Sequence, residues 1–302
     1  MYASLPCCMA ALLTLAAAAT SVHAEVVVTD DAGRVVRLHA PAQRIVSLAP
    51  HATELLFAAG AGRRVVGVSA FSDYPQAARG LPQVSGGMRL DIERILALKP
   101  DLAVGWQTGN TRADLDKLAA LGIPVFFAEP QRLDAVPEAL LRLGHLAGSE
   151  RAAATAAVAY REELARLRAR YRELRPVRVF FQISMQPLMT LNHAHLTSDL
   201  LALCGGRNVF ADYDLIAPEV SVEAVMLQDP DAILFSDELG TAEGVRDWWN
   251  ERVSLRAVRA KRVYVVPATL VLRQSPRVLQ GVQHVCEALD AARASLGRED
   301  RK

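Results

Sequence analysis

The chain has 302 residues, 51% of them hydrophobic, and 34 Lys and Arg stand against 33 Asp and Glu for a net charge of +1. That length can build one large domain or two lobes with separate cores, while the near balance of charge excludes the basic surface a polyanion would require. There is no acidic tail either.

Residues 1–24 carry no charged side chain, contain the apolar run Met9 to Ala19 and end in Val22-His23-Ala24, small residues at the two positions a signal peptidase reads. They predict a secretory signal removed after Ala24 and a soluble, exported mature protein, since no other stretch of 18 apolar residues follows. Cys7 and Cys8 sit too near the start, after Pro6, to fit a lipid anchor. Cys204 and Cys286 are then the remaining cysteines, and in an oxidising compartment they most simply form one disulfide, the alternative being two buried free thiols.

In chain order, Glu25 to Leu38 is two β-rich runs around Asp-Asp-Ala-Gly, a hairpin signal. Strands are expected at Arg44–Leu48, Val65–Ser69, Asp101–Gly105 and Ile123–Phe127, alternating with helices at His51–Ala59, Asp91–Leu98 and Arg112–Leu121. Further on come strand Val177–Ile183, helices Ser198–Leu203 and Val222–Leu227, strand Ala232–Phe235, helix Ala242–Asn250, strand Arg262–Val266 and helix Pro276–Leu296, with a charged tail from Arg298 to Lys302. Short apolar strands alternating with helices predict an α/β fold with parallel sheets covered on both faces.

Between the two series lies Ser149 to Leu174, free of Gly and Pro. Ala153, Ala157, Tyr160, Leu164, Leu167, Tyr171 and Leu174 recur at steps of four and three on one stripe, with Gly148 as a stop before it, Ser149 as N-cap and Pro176 beyond its end. One helix of roughly 39 Å is predicted, at about 1.5 Å per residue. Asp91–Val104 (DIERILALKPDLAV) and Ser221–Leu234 (SVEAVMLQDPDAIL) form an internal repeat on opposite sides of that helix. The expected architecture is therefore two lobes, each with a mainly parallel sheet flanked by helices, joined by one long helix. Its divisions are residues 1–24 (signal), 25–148 (N-terminal lobe), 149–175 (connecting helix) and 176–302 (C-terminal lobe).

Motifs of catalysis are missing: there is no HExxH, Walker A loop, GxSxG elbow or CxxC, and Gly60-Ala61-Gly62 lacks the third glycine of a dinucleotide loop. The chain is expected not to be an enzyme, with a periplasmic hydrolase built on a scattered Ser/His/Asp set as the remote alternative. No His-rich acidic loop is present, and among the histidines after His23 only His193 and His195 are close together, so no metal site is expected.

The segments RIVSLAPHATELLFAAG at 44–60, VGVSAFSDYP at 66–75, DIERILALKPDLAVGWQTGN at 91–110, LGIPV at 121–125, CGGRNVF at 204–210 and QSPRVLQGVQHVCEAL at 274–289 resemble the helical-backbone substrate-binding proteins of ABC importers, most closely their cobalamin-binding branch. The resemblance runs through nearly all the mature sequence. It implies a periplasmic, monomeric carrier that captures a corrinoid such as cobalamin and delivers it to the transmembrane subunits of an importer, with haem or an iron-siderophore as alternatives on the same scaffold. It also implies the site: Phe71 where those receptors have a tyrosine against the corrin, Trp106 at a pocket tryptophan, and the loop Thr269, Leu270, Val271, Leu272 and Arg273 closing on the ligand. Glu93 and Glu223 align with the acidic knobs that dock on the importer. Gly87, Ala217 and Leu270 replace tryptophans and Thr269 an aspartate, which points to a wider or weaker pocket or one for another tetrapyrrole. His51, beside Pro50 in the loop that in this family faces the cleft, is a candidate to approach the central metal of a bound macrocycle, and Tyr74 is the competing oxygen donor if that is haem.

Overall fold

The computed structural model describes residues 25–86 and 89–299. The expected signal segment and Gly87 lie outside the described residues.

Val26–Thr29 (β1) and Val35–Leu38 (β2) make the expected antiparallel hairpin, with Gly33 in the left-handed region at φ +76° where the chain reverses. The strands that follow are Ile45–Ser47 (β3), Val65–Val68 (β4), a small ribbon of Ser85–Gly86 (β5) with Arg89–Leu90 (β6), Leu102–Gly105 (β7) and Val125–Phe127 (β8). β3, β4, β7 and β8 form one parallel sheet in the order β4-β3-β7-β8. The second lobe has Val177–Gln182 (β9), a ribbon of Ser184–Met185 (β10) with Leu188–Met189 (β11), Gly206–Asn208 (β12), Ala232–Ser236 (β13) and Val263–Val266 (β14), the main sheet running β12-β9-β13-β14, again all parallel. Numbered within each lobe, both sheets read 2-1-3-4. The lobes are two copies of one topology.

The helices are Pro50–Ala58 (α1), Ile92–Ala97 (α2), Arg112–Ala120 (α3), Ala135–Ala147 (α4), Glu150–Arg170 (α5), Leu196–Leu203 (α6), Val222–Gln228 (α7), Ala242–Asn250 (α8), Arg256–Arg259 (α9), Ala268–Val271 (α10) and Val278–Glu299 (α11). The repeat seen in the sequence extends into the hydrogen bonding. Asp91 caps α2 by accepting from the Arg94 N–H, and Ser221 caps α7 by accepting from the Ala224 N–H. Just past each helix a non-glycine residue turns left-handed, Lys99 at φ +47° and Asp229 at φ +38°, before Pro100 and Pro230. Arg44, just before β3, donates to the carbonyls of Leu98 and Lys99, and Arg178, in β9, donates to the carbonyl of Gln228. Asp101 and Asp231 accept from the backbone N–H of those same arginines.

Three apolar clusters fill the molecule. Ile92, Ile95, Leu115 and Leu118 cover one face of the first sheet, and Val225, Val245, Trp249 and Val258 cover one face of the second. The other faces share a single cluster that runs from the hairpin (Val26, Leu38) through α1 and α4 to Ala153, Tyr160, Leu164 and Leu167 of α5, then on to Leu200 and to Val282, Val285 and Leu289 of α11. α5 is thus the joining helix and also part of the wall of a core common to both lobes.

α5 is shorter than expected. It ends at Arg170, with Tyr171 as its C-cap, which gives about 32 Å. Tyr171 and Leu174, the last two stripe positions, are half-buried beyond it, and Glu173 is left-handed at φ +60°. Gly148 ends α4 at φ +60° as predicted, but Ser149 does not cap α5 with its side chain; its hydroxyl donates to the Ala59 carbonyl at 2.7 Å instead. α4 itself was not among the expected elements: Pro137 lies in its first turn, where proline is tolerated. β12 was missed because Gly206 and Arg207 give it no apolar run.

Cys204, at the end of α6, and Cys286, within α11, are bonded. The crosslink spans a sequence separation of 82 residues, which in the chain-entropy model contributes about 4 to 5 kcal/mol.

A core that crosses from lobe to lobe resists hinge motion, because opening the lobes widely would split it. Small-angle scattering is expected to give nearly the same radius of gyration with and without saturating ligand. A contraction of several ångströms on binding would show that the common core does not hold the lobes.

Candidate functional site in the cleft between the lobes

In open parallel sheets ligands sit beyond the carboxyl ends of the strands, at the point where strand order reverses. In the first lobe that point lies between β3 and β7, whose carboxyl ends lead into Pro50-His51 and into Trp106. In the second it lies between β9 and β13, and β13 leads into Asp237-Glu238. These ends face each other. Pro50, His51 and Trp106 from one lobe, with Glu238, Ala268, Thr269, Leu272, Arg273 and Gln274 from the other, line a cavity of about 180 Å³.

Trp106 is set by its own loop. Asn110 accepts from the Trp106 N–H at 2.7 Å and donates to the Leu48 carbonyl at 3.0 Å, tying the loop to the end of β3. Gly109 passes beneath the indole, where a Cβ would come within 2.1 Å of the ring, so only glycine leaves the ring its place. Thr108 donates twice to the buried Glu129, whose own N–H donates to Asp31, and Asp31 pairs with Arg142. The indole meets His51 edge-on at 5.4 Å and 86°, and its Nε1–H is buried without a partner among the described residues.

His51 is 3% exposed, and its Nε2 lies 2.8 Å from the Ala128 carbonyl. A carbonyl can only accept, so Nε2 carries the proton and Nδ1 is the free lone pair. Burial pushes its pKa down to about 4, against the opposing effect of the Ala128 bond and the charge of Glu54. His195, across the cleft, accepts from the Thr197 N–H to cap α6, and burial followed by the proximity of His51 lowers it likewise to about 4. Both are neutral imidazoles near pH 7.

The rim is built around Glu54 of α1, whose side chain is 1% exposed. Arg273 Nη1 donates to its Oε1 at 2.9 Å, Arg277 donates to both oxygens at 2.9 Å, and the Ser275 hydroxyl donates to Oε2 at 2.6 Å. All three donors come from the second lobe. Arg273 also donates to Asp73 at 2.6 Å and to the Phe71 carbonyl at 3.1 Å. Burial raises the Asp73 carboxyl, but the hydrogen bond and charge of Arg273 outweigh it and hold the group below the usual range. Burial likewise disfavours the Arg273 cation, which its bonds to Asp73 and Glu54 more than restore. Phe71 adopts φ +63°, uncommon for a bulky residue, and the residue is 74% exposed. The Arg277 guanidinium lies 4.0 Å over the Tyr74 ring.

The structure therefore brings His51, Trp106, Thr269, Leu272 and Arg273 to one cavity, with Phe71 tied to it through Arg273, whereas Tyr74 lines a separate pocket with Glu54, Ala58 and Arg277. It does not bring Leu270 and Val271 to the cavity. A helical turn points successive side chains apart, so within α10 Leu270 faces a groove against α5 and α11, and Val271 is fully buried with its carbonyl accepting from Thr197. Ala217 is exposed. Glu54 was missed by motif reasoning, although a single carboxylate inside the apolar helix PHATELLFA was a readable signal.

Residues 45–270 match the periplasmic binding protein family. The chain belongs to that family. It is a periplasmic substrate-binding protein and not an enzyme. It is 38% identical over 252 residues to the vitamin B12-binding protein of Vibrio cholerae, covering 83% of this chain and 91% of that one. The crystal structure of the periplasmic vitamin B12 binding protein of Vibrio cholerae matches with TM-score 0.76 at 39% identity, over 84% of this chain and 98% of that one. The periplasmic heme-binding protein of Roseiflexus sp. RS-1 matches with TM-score 0.73 at 27% identity, over 83% and 98%.

Two predictions follow from the site of this binding protein. Removing one partner of a buried, hydrogen-bonded charge cluster costs about 3 to 5 kcal/mol, so Glu54→Ala is expected to lower stability by that order in urea unfolding. A loss under about 1 kcal/mol would place the cluster among surface ion pairs. For the histidines, the folded pKa of about 4 lies below the ordinary 6.5, so the unfolded chain binds more protons between those values. Stability is then full above about pH 6.5 and falls as the pH drops towards 4, by about 3 kcal/mol for each histidine. His51→Gln should remove its share of that slope in unfolding series from pH 7 to 4; an unchanged slope would show that His51 is not held neutral by the fold.

Proposed function

We propose that this protein captures a corrinoid, cobalamin or a close relative, in the cleft and delivers it as a monomer to the transmembrane subunits of an ABC importer. One observation carries the proposal: Phe71 is held out in solvent in a left-handed backbone, its carbonyl gripped by Arg273, beside a cavity floored by Trp106 and His51. Strained, exposed aromatics at a rim are what a large flat ligand stacks on. The vitamin B12-binding relatives support the choice of ligand.

In this view residues 25–148 and 176–302 supply the two walls and residues 149–175 hold them. The cavity of about 180 Å³ is smaller than the about 300 to 1,000 Å³ of ordinary ligand pockets. Admission of a macrocycle therefore requires the rim to part, with Arg273 exchanging Asp73 and the Phe71 carbonyl for ligand acceptors while the common core stays closed. Thr269 and Leu272 line the second-lobe wall, and Glu93 and Glu223 dock the loaded protein on the importer.

Haem is the second candidate, favoured by His51, which lines the cavity and whose Nδ1 is left free by the bond of Nε2 to Ala128. Titration of the purified protein with cyanocobalamin and with haemin, followed by visible absorption, separates them. Tight cyanocobalamin binding by wild type and by His51→Ala, with the same corrinoid spectrum, is expected. Tight haemin binding with negligible corrinoid affinity would replace the assignment, and a changed corrinoid spectrum in His51→Ala would make His51 a metal ligand.

A further inference from the structure

A second cavity, of about 450 Å³, lies outside the cleft along the edge of the second sheet and is lined in part by β12. β12 is the outermost strand of that sheet, so the N–H and C=O groups on its outer side have no strand to pair with. Three arginines reach the cavity from three separate segments: Arg132 between β8 and α4 in the first lobe, Arg178 in β9 and Arg207 in β12. Their donors are largely unspent. Arg207 is exposed and has no partner among the described residues, the Arg178 guanidinium gives only its Nη2 to Gln228, and Arg132 reaches Asp199 at a long 3.4 Å. The volume falls within the range of about 300 to 1,000 Å³ of ordinary ligand pockets, and leaves room for more than a bare ion.

We propose that this cavity binds a small phosphate monoester that carries hydroxyl groups, of the glycerol phosphate class. A guanidinium grips two oxygens at once, and a phosphate monoester presents three oxygens where a carboxylate presents two, so three guanidiniums from three segments suit the phosphate. Two acids share the lining, and they bear on the rest of the ligand. Asp199 is satisfied by Arg132 and by the Leu133 N–H, but Asp212 is exposed with no partner among the described residues. His193 bonds the Ala211 carbonyl through Nδ1, which leaves Nε2 as an acceptor. A bare anion would meet the Asp212 charge unfavourably, whereas hydroxyl groups donating to Asp212 and His193 turn those acceptors into contacts. Arg132 belongs to the first lobe and the other two arginines to the second. The phosphate therefore also bridges the lobes, at a place that shares no lining residue with the cleft cavity.

The test is isothermal titration calorimetry of the purified mature protein with glycerol phosphate, inorganic phosphate and glycerate, each at millimolar concentration. Glycerol phosphate is expected to bind at one site per chain, inorganic phosphate about tenfold more weakly for want of the hydroxyl contacts, and glycerate without measurable heat. Arg207→Ala is expected to weaken glycerol phosphate about tenfold or more, the scale of one hydrogen bond to a charged group, at an unchanged melting temperature, because this exposed side chain holds nothing else in place. Asp212→Ala is expected to remove the preference for glycerol phosphate over inorganic phosphate. No heat with glycerol phosphate, or an affinity unchanged in Arg207→Ala, would overturn the site. Glycerate binding as tightly would overturn the phosphate, and inorganic phosphate binding as tightly to wild type would overturn the hydroxyl-bearing half. Cosedimentation with phosphatidylglycerol vesicles, without affinity for glycerol phosphate, would overturn the soluble monoester in favour of a membrane surface.

Discussion

The carboxylate of Glu54 is the constraint on which the cleft depends. Taking an ion out of water costs several kcal/mol unless its neighbours supply charge and hydrogen bonds in return. Here the return comes from the other lobe: Arg273, Arg277 and Ser275 all sit between β14 and α11, more than 200 positions further along the chain. Burial of one acid on α1 therefore requires the lobes to be in register. The same Arg273 is bound to Asp73 and to Phe71, so the interaction that closes the lobes also sets the aromatic rim. Structure and site are coupled through a single guanidinium.

Around the cavity, stiff and adjustable parts are separate. Trp106 directly follows β7 and His51 lies in the first turn of α1 just beyond β3, and the bonds of Asn110 and the closeness of Gly109 leave the indole no alternative place. Arg273 and Phe71 lie on connecting segments and are held by polar contacts, which exchange partners at small cost compared with repacking a core. A floor of fixed aromatics with a rim of replaceable hydrogen bonds suits a carrier, which has to release what it binds.

Much of this was legible in the sequence. Strand alternation, the stripe from Ala153 to Leu167 and the Pro-Asp repeat give the two-lobed plan, because parallel strands covered on both faces and long amphipathic helices leave strong apolar periods. Trp106 and Arg273, named through the family resemblance, do line one cavity. The remainder was hidden for physical reasons. Glu54 has partners more than 200 positions away, and no local pattern encodes such a distance. Leu270 and Val271 were grouped with Arg273 as one loop, yet a single helical turn there aims neighbouring side chains in different directions. Ser149 has the residue type of an N-cap, but a nearby carbonyl at Ala59 was the better acceptor for its hydroxyl. β12 is made of backbone pairing with β9 alone, so composition could not announce it.

The core shared by the lobes bears on how the protein comes into being. Its apolar cluster begins with Val26 in the first strand and is not complete until Ala292 in the last helix. A chain that crosses a membrane amino end first thus cannot complete this common cluster while its final helix is still on the other side. Long-range contacts of this kind slow folding and leave apolar surface uncovered in the meantime. The arrival of α11 fills the gap, and the bond between Cys204 and Cys286, formed only in the oxidising compartment, joins that last helix to the second lobe. Assembly is withheld until translocation is done, and is then made difficult to undo.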